Sequence, residues 1–204
     1  GQLKPGYNVQ ISTNRQYILS YSIHQRATDT TTLIPHLEQH LHSFKLKPAN
    51  ITADAGYGSE ENYQWLETKR ITAYVKHARF DRNQSDHLRR KKPYGIDQFT
   101  YNEATHRYYC PAGKVMKKLR GYIRIRKTGS KIAQQLTRYQ AKGCVECPLR
   151  EQCHQAEGNR IIEVNLNLNR LRKKADKRLK SKRGIQKRKQ RCFDTEPVFA
   201  DIKH

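Results

Sequence analysis

Apolar and polar residues alternate from Tyr7 to Thr13 and again from Tyr17 to Ile23, with Asn14, Arg15 and Gln16 between the runs. A period of two is the pattern of a strand, so the two runs predict a hairpin. Leu33, Ile34, Leu37 and Leu41 then recur at helical spacing. Asp29 or a following Thr can cap that helix. Pro48 ends the connection, and Ile51, Thr52 and Ala53 predict a short buried strand with Asp54 at its C-terminal end. Gly56 and Gly58 predict a turn. Ser59, Glu61 and Asn62 predict a helix start ahead of Tyr63, Trp65 and Leu66, and residues 71–75 predict another strand. The order strand, strand, helix, strand, helix, strand indicates an α/β fold with a mixed sheet, compatible with an RNase H-like architecture.

From about Ala78 to Arg160 the pattern changes. Basic and polar residues dominate, interspersed with Tyr94, Phe99, Tyr101, Tyr108, Tyr109, Tyr122 and Tyr139. Residues 122–126 alternate like a strand with a basic face. Leu168, Leu171, Ala175 and Leu179 return to helical spacing, and a last helix is expected from about Ile185, adjusted around Pro197. The chain therefore divides into a first part of the core (1–77), a basic Cys-rich insert of short strands and loops (78–160), and C-terminal helices completing the core (161–204).

Charge sharpens this division. Lys and Arg total 41 against 18 Asp and Glu, a formal net charge of +23. Residues 1–75 hold only 7 of the basic and 6 of the acidic residues. Residues 170–191 alone hold 13 Lys or Arg and one acid, Asp176. Such a surplus points to a polyanionic partner, most often nucleic acid. Lys117, Lys118, Arg120, Arg124, Arg126 and Lys127 flank Tyr122, a set suited to phosphate contact and base stacking. The plain alternative is a solvated charged face with the tyrosines in a small core. No run of 18 apolar residues predicts a membrane span, and no secretory signal opens the sequence. Five cysteines in that context suggest a reducing, cytoplasmic location and metal binding rather than a disulfide framework.

Phosphodiester cleavage is commonly run by two Mg²⁺ or Mn²⁺ ions about 4 Å apart. Hard ions take carboxylate oxygen. Asp54, ending a short apolar strand before a glycine-rich turn, suits such a role, and Glu196 suits it from a late helix. Both have plain alternatives: a turn residue for Asp54, an acid in the first turn of a helix for Glu196. Asp194 and Asp201 are rival carboxylates nearby. Cys144 and Cys147 form a C-x₂-C knuckle, with Cys153 downstream and Cys110 upstream. Four thiolates can enclose one structural Zn²⁺, with His154 able to replace one Cys. Unligated thiols or a redox pair are the competing readings. Cys192 stands outside the group.

Several segments, in order along the chain, resemble bacterial insertion-sequence transposases with a DDE catalytic domain. They are PGYNVQI (residues 5–11), ITADAGYGSEENY (51–63), AYVK (73–76), CPAGK (110–114), CVECPLREQC (144–153), GNR (158–160) and EPVFADIKH (196–204). The resemblance implies an RNase H-like catalytic domain in which three acids bind two divalent ions. The second family acid falls on Asp54 and the third on Glu196. Lys203, seven positions on, and Arg191, just before, fall on basic positions expected to neutralise DNA charge. The family's first Asp belongs to a strand ahead of the PGYNVQI segment, so the chain is expected to be a piece cut at both ends and inactive alone; Asp29 is a poor substitute. The complete enzyme would nick transposon ends with a metal-activated water and direct the freed 3′-hydroxyl at target DNA, and it would allow a homodimer. The readings from other classes are a non-catalytic nucleic-acid-binding remnant or zinc-stabilised module, and a nuclease on the same fold.

Overall fold

The computed structural model describes residues 6–91, 93–125 and 129–203. Arg126 and Lys127 of the expected basic strand lie outside these residues. In chain order the elements are β1 (Asn8–Asn14), β2 (Tyr17–His24), α1 (Leu33–Phe44), β3 (Asn50–Ala53), α2 (Glu60–Thr68), β4 (Thr72–Val75), α3 (Phe80–Gln84), α4 (Asp86–Arg90), β5 (Thr100–Asn102) and β6 (Arg107–Tyr109). They continue as β7 (Val115–Lys118), β8 (Ile123–Ile125), β9 (Gln134–Gln140), α5 (Arg150–Cys153), β10 (Ile161–Val164), α6 (Leu166–Lys180) and α7 (Lys182–Lys203). Short 3₁₀ turns at Asp29–Thr31, Ala55–Tyr57 and Ile96–Gln98 join them. The fold is mixed α/β. Two compact units form: residues 1–80, 129–131 and 167–204 make one, and residues 81–128 and 132–166 the other.

In the first unit β1 and β2 pair antiparallel, from Asn8 opposite His24 to Asn14 opposite Tyr17. Arg15 and Gln16 turn the chain with φ of 51° and 68°, the positive values whose twist matches that of the flanking strands. Leu19 is an extra residue on β2, because Ser12 opposes Ser20 while Thr13 opposes Ile18. The hairpin turns its polar face to α1: Gln10 and Ser22 are buried, whereas Val9, Tyr21 and Ile23 are exposed. Polar burial is tolerated there because α1 supplies partners. His36 Nε2 lies 2.7 Å from Ser12 Oγ, its Nδ1 lies 2.8 Å from Ser22 Oγ, and His40 Nδ1 lies 3.1 Å from Ser20 Oγ.

β3 and β4 pair parallel, Asn50 opposite Thr72 through Ala53 opposite Val75, with α2 as the crossover. Ser59 caps α2, its Oγ accepting from the Asn62 amide at 3.2 Å. Leu33 and Leu37 of α1, Tyr63 and Leu66 of α2, Tyr74 and Val75 of β4, and Leu171, Ala175 and Leu179 of α6 form one core with Phe80. Two expectations need correction. Among the described residues β1–β2 and β3–β4 are separate two-stranded ladders, not one mixed sheet. β3 is half-buried rather than buried, because one of its edges borders a cleft.

α7 begins at Lys182, ahead of the expected start, and runs unbroken through Pro197. A helical proline removes the bond to the carbonyl four residues back. That carbonyl belongs to Phe193, which is 68% exposed, so water reaches its surroundings.

The second unit is a six-stranded sheet in the order β10-β9-β7-β6-β5, with β8 also on β9. Its core is Phe99, Tyr108, Met116, Tyr139, Ile162 and Val164. Tyr108 stacks edge-on to Tyr139 with ring centroids 4.8 Å apart. These tyrosines serve packing. Tyr122 is exposed beside Arg124, whose Nη2 donates to its hydroxyl at 3.0 Å.

Candidate active site

The cleft bordered by β3 has a volume of about 440 Å³. Residues 10–14 of β1 and residues 50–54 at the end of β3 line it as unbroken runs. Successive strand residues point to opposite faces, so an unbroken run means that strand edges, not one face, look into the space. Neither facing edge is paired among the described residues. Ser12 contacts His36 of α1, while the neighbouring Thr13 Oγ1 lies 3.4 Å from Thr195 Oγ1 of α7. The two helices therefore cover opposite faces of one layer, and the cleft is a gap within that layer. At one end the Tyr57 hydroxyl crosses it to donate to Gln10 Oε1. Burial, with Asp29 and Asp54 nearby, pushes the Tyr57 phenol up to about 12.

Asp54 stands at this cleft as the residue that ends β3 and opens the 3₁₀ turn, with extended backbone (φ −73°, ψ 175°). Its Oδ1 pairs with Arg191 Nη2 of α7 at 2.9 Å, with side chains 52% and 23% exposed respectively. The expectation for Arg191 was a DNA contact; here its nearest carboxylate is Asp54 itself. The glycine-rich turn opens no space for a ligand at Gly58, where a Cβ would meet the Lys76 carbonyl oxygen at 2.3 Å. Gly58 is needed for close backbone packing.

Arg191, Asp194, Thr195 and Phe199 line the cleft from α7, whereas Glu196 does not and is exposed. Two residues along an α-helix is a rotation of about 200°, so Asp194 and Glu196 look in opposite directions. Asp194 accepts from Gln190 Nε2 at 2.8 Å. Asp29, beside the same turn, accepts from Asn8 Nδ2 at 2.8 Å. For Lys203 only its place in α7 is described. Among the described residues no three His, Cys, Asp or Glu side chains gather as a metal-ligand group. Asp54 and Glu196 alone do not assemble the expected two-metal set.

The expected zinc set was Cys110, Cys144, Cys147 and Cys153. All four thiols line one small hollow in the second unit with His154, and Arg160 reaches the same hollow. Arg160 Nη1 donates to Cys153 Sγ at 2.7 Å, and the Arg160 amide lies 3.5 Å from Cys144 Sγ. The guanidinium thus meets one of the thiols, Cys153, and a backbone amide meets another, Cys144.

Sequence reasoning passed over Gln10, Tyr57 and Thr195. Only the last carried a signal, since Arg191, Thr195 and Val198 repeat at helical spacing. Among the described residues no helix is long and apolar enough to cross a membrane. Residues 109–204 match the family model of the transposase DDE domain. No curated protein and no solved structure matches the chain.

Proposed function

We propose, from the match of residues 109–204 to the transposase DDE domain model, that the chain is part of an insertion-sequence transposase that cuts and transfers DNA strands. The observation that carries this reading to particular residues is the Asp54–Arg191 pair at the mouth of the cleft. A carboxylate at a strand end, held by a guanidinium and half exposed, keeps an oxygen available for a polar ligand. Glu196 is the second proposed acid, by its motif. Arg191, Lys203, Arg124 and Arg126 are the proposed DNA contacts, drawn from the net charge of +23. Divalent ions supply Lewis-acid chemistry in domains of this kind. The described residues offer fewer ligands than such a set needs, so no step is assigned to an ion here.

Among the described residues β1 and β3 face the gap with unpaired edges and a helix on each side, an arrangement that fits one added strand, and a strand there would bring a further acid beside Asp54. Neighbouring strands lie about 4.8 Å apart, so a one-strand gap keeps β1 and β3 roughly 10 Å apart, beyond disulfide reach. A Thr13→Cys, Thr52→Cys protein is therefore expected to stay reduced at that pair; spontaneous cross-linking would mean the gap is closed.

The activity itself is tested with the purified chain and labelled transposon-end DNA. Binding without cleavage in Mg²⁺ or Mn²⁺ is the expected result, with cleavage appearing when a strand carrying a third acid is supplied at the gap. Cleavage by the 204-residue chain would overturn the incomplete-site reading. A second reading, a DNA-binding remnant without chemistry, draws on the same lack of a three-ligand group among the described residues. It predicts no cleavage even with that strand supplied.

A further inference from the structure

The cysteines of the second unit have no role in the transposase reading. Cys110 is distant in sequence from Cys144 and Cys147, yet all three line one hollow of about 20 Å³ together with Cys153 and His154. That is room for about one water or one ion. Two turns build the hollow. In the first, the Gly113 amide donates to the Cys110 carbonyl at 2.8 Å, and the Cys110 amide donates to the Lys114 carbonyl at 2.9 Å. Gly113 has φ of +73° there, a value that suits glycine. In the second turn the Cys147 amide donates to the Cys144 carbonyl at 3.3 Å. Lys114 Nζ donates to the Gly143 carbonyl at 2.7 Å and so ties the first turn to the residue before Cys144.

His154 is the residue this hollow leaves unsatisfied. Both ring nitrogens are buried, and neither has a hydrogen-bond partner among the described residues. Buried polar atoms are ordinarily paired. Burial, with Arg150 and Arg160 nearby, lowers the His154 pKa, so the neutral ring offers a lone pair near neutral pH. Cys153 is placed differently. Arg160 Nη1 donates to its sulfur and to its carbonyl, each at 2.7 Å, while Nη2 donates to the Tyr94 carbonyl at 2.7 Å. The Cys153 sulfur is therefore already engaged.

We propose that Cys110, Cys144, Cys147 and His154 hold one structural Zn²⁺, with Cys153 and Arg160 beside the ion rather than on it. Three Cys with one His is a closed set that zinc takes readily. Three thiolates against one divalent ion leave a net negative site, which the Arg160 guanidinium offsets. The Arg160 amide, 3.5 Å from Cys144 Sγ, is the kind of outer donor that orients a ligand. Among the described residues no three side chains yet gather as a metal-ligand group. The backbone brings them to the hollow, and each Cys needs only a rotation about χ1 to turn its sulfur toward the ion. The ion would clip together loops of a unit in which β5, β6 and β8 have three residues each. This site does not depend on the transposase reading.

The experiment purifies the tag-free chain without chelator and measures zinc per chain by plasma mass spectrometry. Cobalt is then exchanged for zinc and the absorption spectrum recorded. One equivalent of zinc is expected, with the intense visible bands of tetrahedral cobalt and sulfur charge transfer in the near ultraviolet. Cys144→Ser and His154→Ala should each lose the equivalent, while Cys153→Ser keeps it. A chelator should lower the melting temperature of the unaltered chain and leave that of His154→Ala unmoved. Should Cys144→Ser misfold, the cobalt spectrum of the unaltered chain and the comparison of His154→Ala with Cys153→Ser carry the test. Cys110 and Cys144 also touch the core of this unit. A folded chain with no zinc and no cobalt bands would make packing their whole role and overturn the site. Zinc lost from Cys153→Ser but kept in His154→Ala would overturn the ligand set.

Discussion

Asp54 and Arg191, one at the end of a four-residue strand and the other on the last helix, are joined by a 2.9 Å ion pair over a cleft of about 440 Å³. With the carboxylate 52% exposed, this pair does little for stability, since exposed ion pairs contribute at most about 1 kcal/mol. Its consequence is positional. Arg191→Gln is expected to cost less than about 1 kcal/mol in denaturant unfolding. In a cleavage-competent form of the protein it should reduce strand cleavage far more than it reduces stability. Equal small losses in both measurements would remove Arg191 from the site.

His36 links pH to stability. Burial, together with His40 and His24, lowers its pKa from 6.5 to about 4. The unfolded chain therefore binds the extra proton first. The stabilising contribution is present in full above pH 6.5, falls as pH drops below it, and is exhausted near pH 4. The size is at most about 3.5 kcal/mol, since each tenfold loss of proton affinity on folding corresponds to about 1.4 kcal/mol. Denaturant titrations across this window should show His36→Gln losing less stability on acidification than the unaltered chain. Parallel curves would mean that His36 is not the responsible group.

Gly58 and Gly184 are both fixed by backbone approach. A Cβ at Gly58 would lie 2.3 Å from the Lys76 carbonyl oxygen, and one at Gly184 would lie 2.0 Å from that of Arg178, across the α6–α7 junction. Backbone cannot move aside as a flexible side chain can, so each Gly→Ala change is expected to cost about 2–3 kcal/mol. Gly113, whose added Cβ would meet open space but which has φ of +73°, should cost less, about 1 kcal/mol. Thermal melts of the three variants check this order.

The elements were legible where periodicity is local. Alternation at residues 7–23 reads as β1 and β2, and Leu33 with Leu37 reads as α1. What pairs with what across the first unit was not legible. Among the described residues β1 and β3 each carry an unpaired edge, a property of distant segments that no window of sequence contains. The surroundings of the cysteines were illegible for a related reason. The four meet at one hollow, but that Arg160, seven residues past Cys153, brings its guanidinium to that sulfur leaves no trace in the Cys spacing. The face of α7 was readable in principle, since Arg191, Asp194, Thr195 and Val198 fall on one side at helical spacing.

That face sets the sharpest question about the chemistry. By its resemblance the EPVF motif puts the proposed catalytic acid at Glu196, while the cleft lining holds Asp194, on the opposite side of the same helix turn. The two carboxylates have different jobs in the fold. Asp194 is half-buried and accepts from Gln190; Glu196 is exposed. Substitution of an exposed residue away from packing changes stability by no more than about 0.5 kcal/mol, so any loss of activity in Glu196→Gln reports chemistry. Removal of a charge that acts in the transition state costs on the order of 100-fold or more. The expected result, in a cleavage-competent form of the protein, is a melting temperature unchanged by Glu196→Gln and cleavage reduced at least about 100-fold. Asp194→Asn should keep most of the activity while lowering the melting temperature slightly through its lost bond from Gln190. The reverse pattern would move the catalytic acid to Asp194, where the carboxylate already faces the cleft with Asp54 and Arg191.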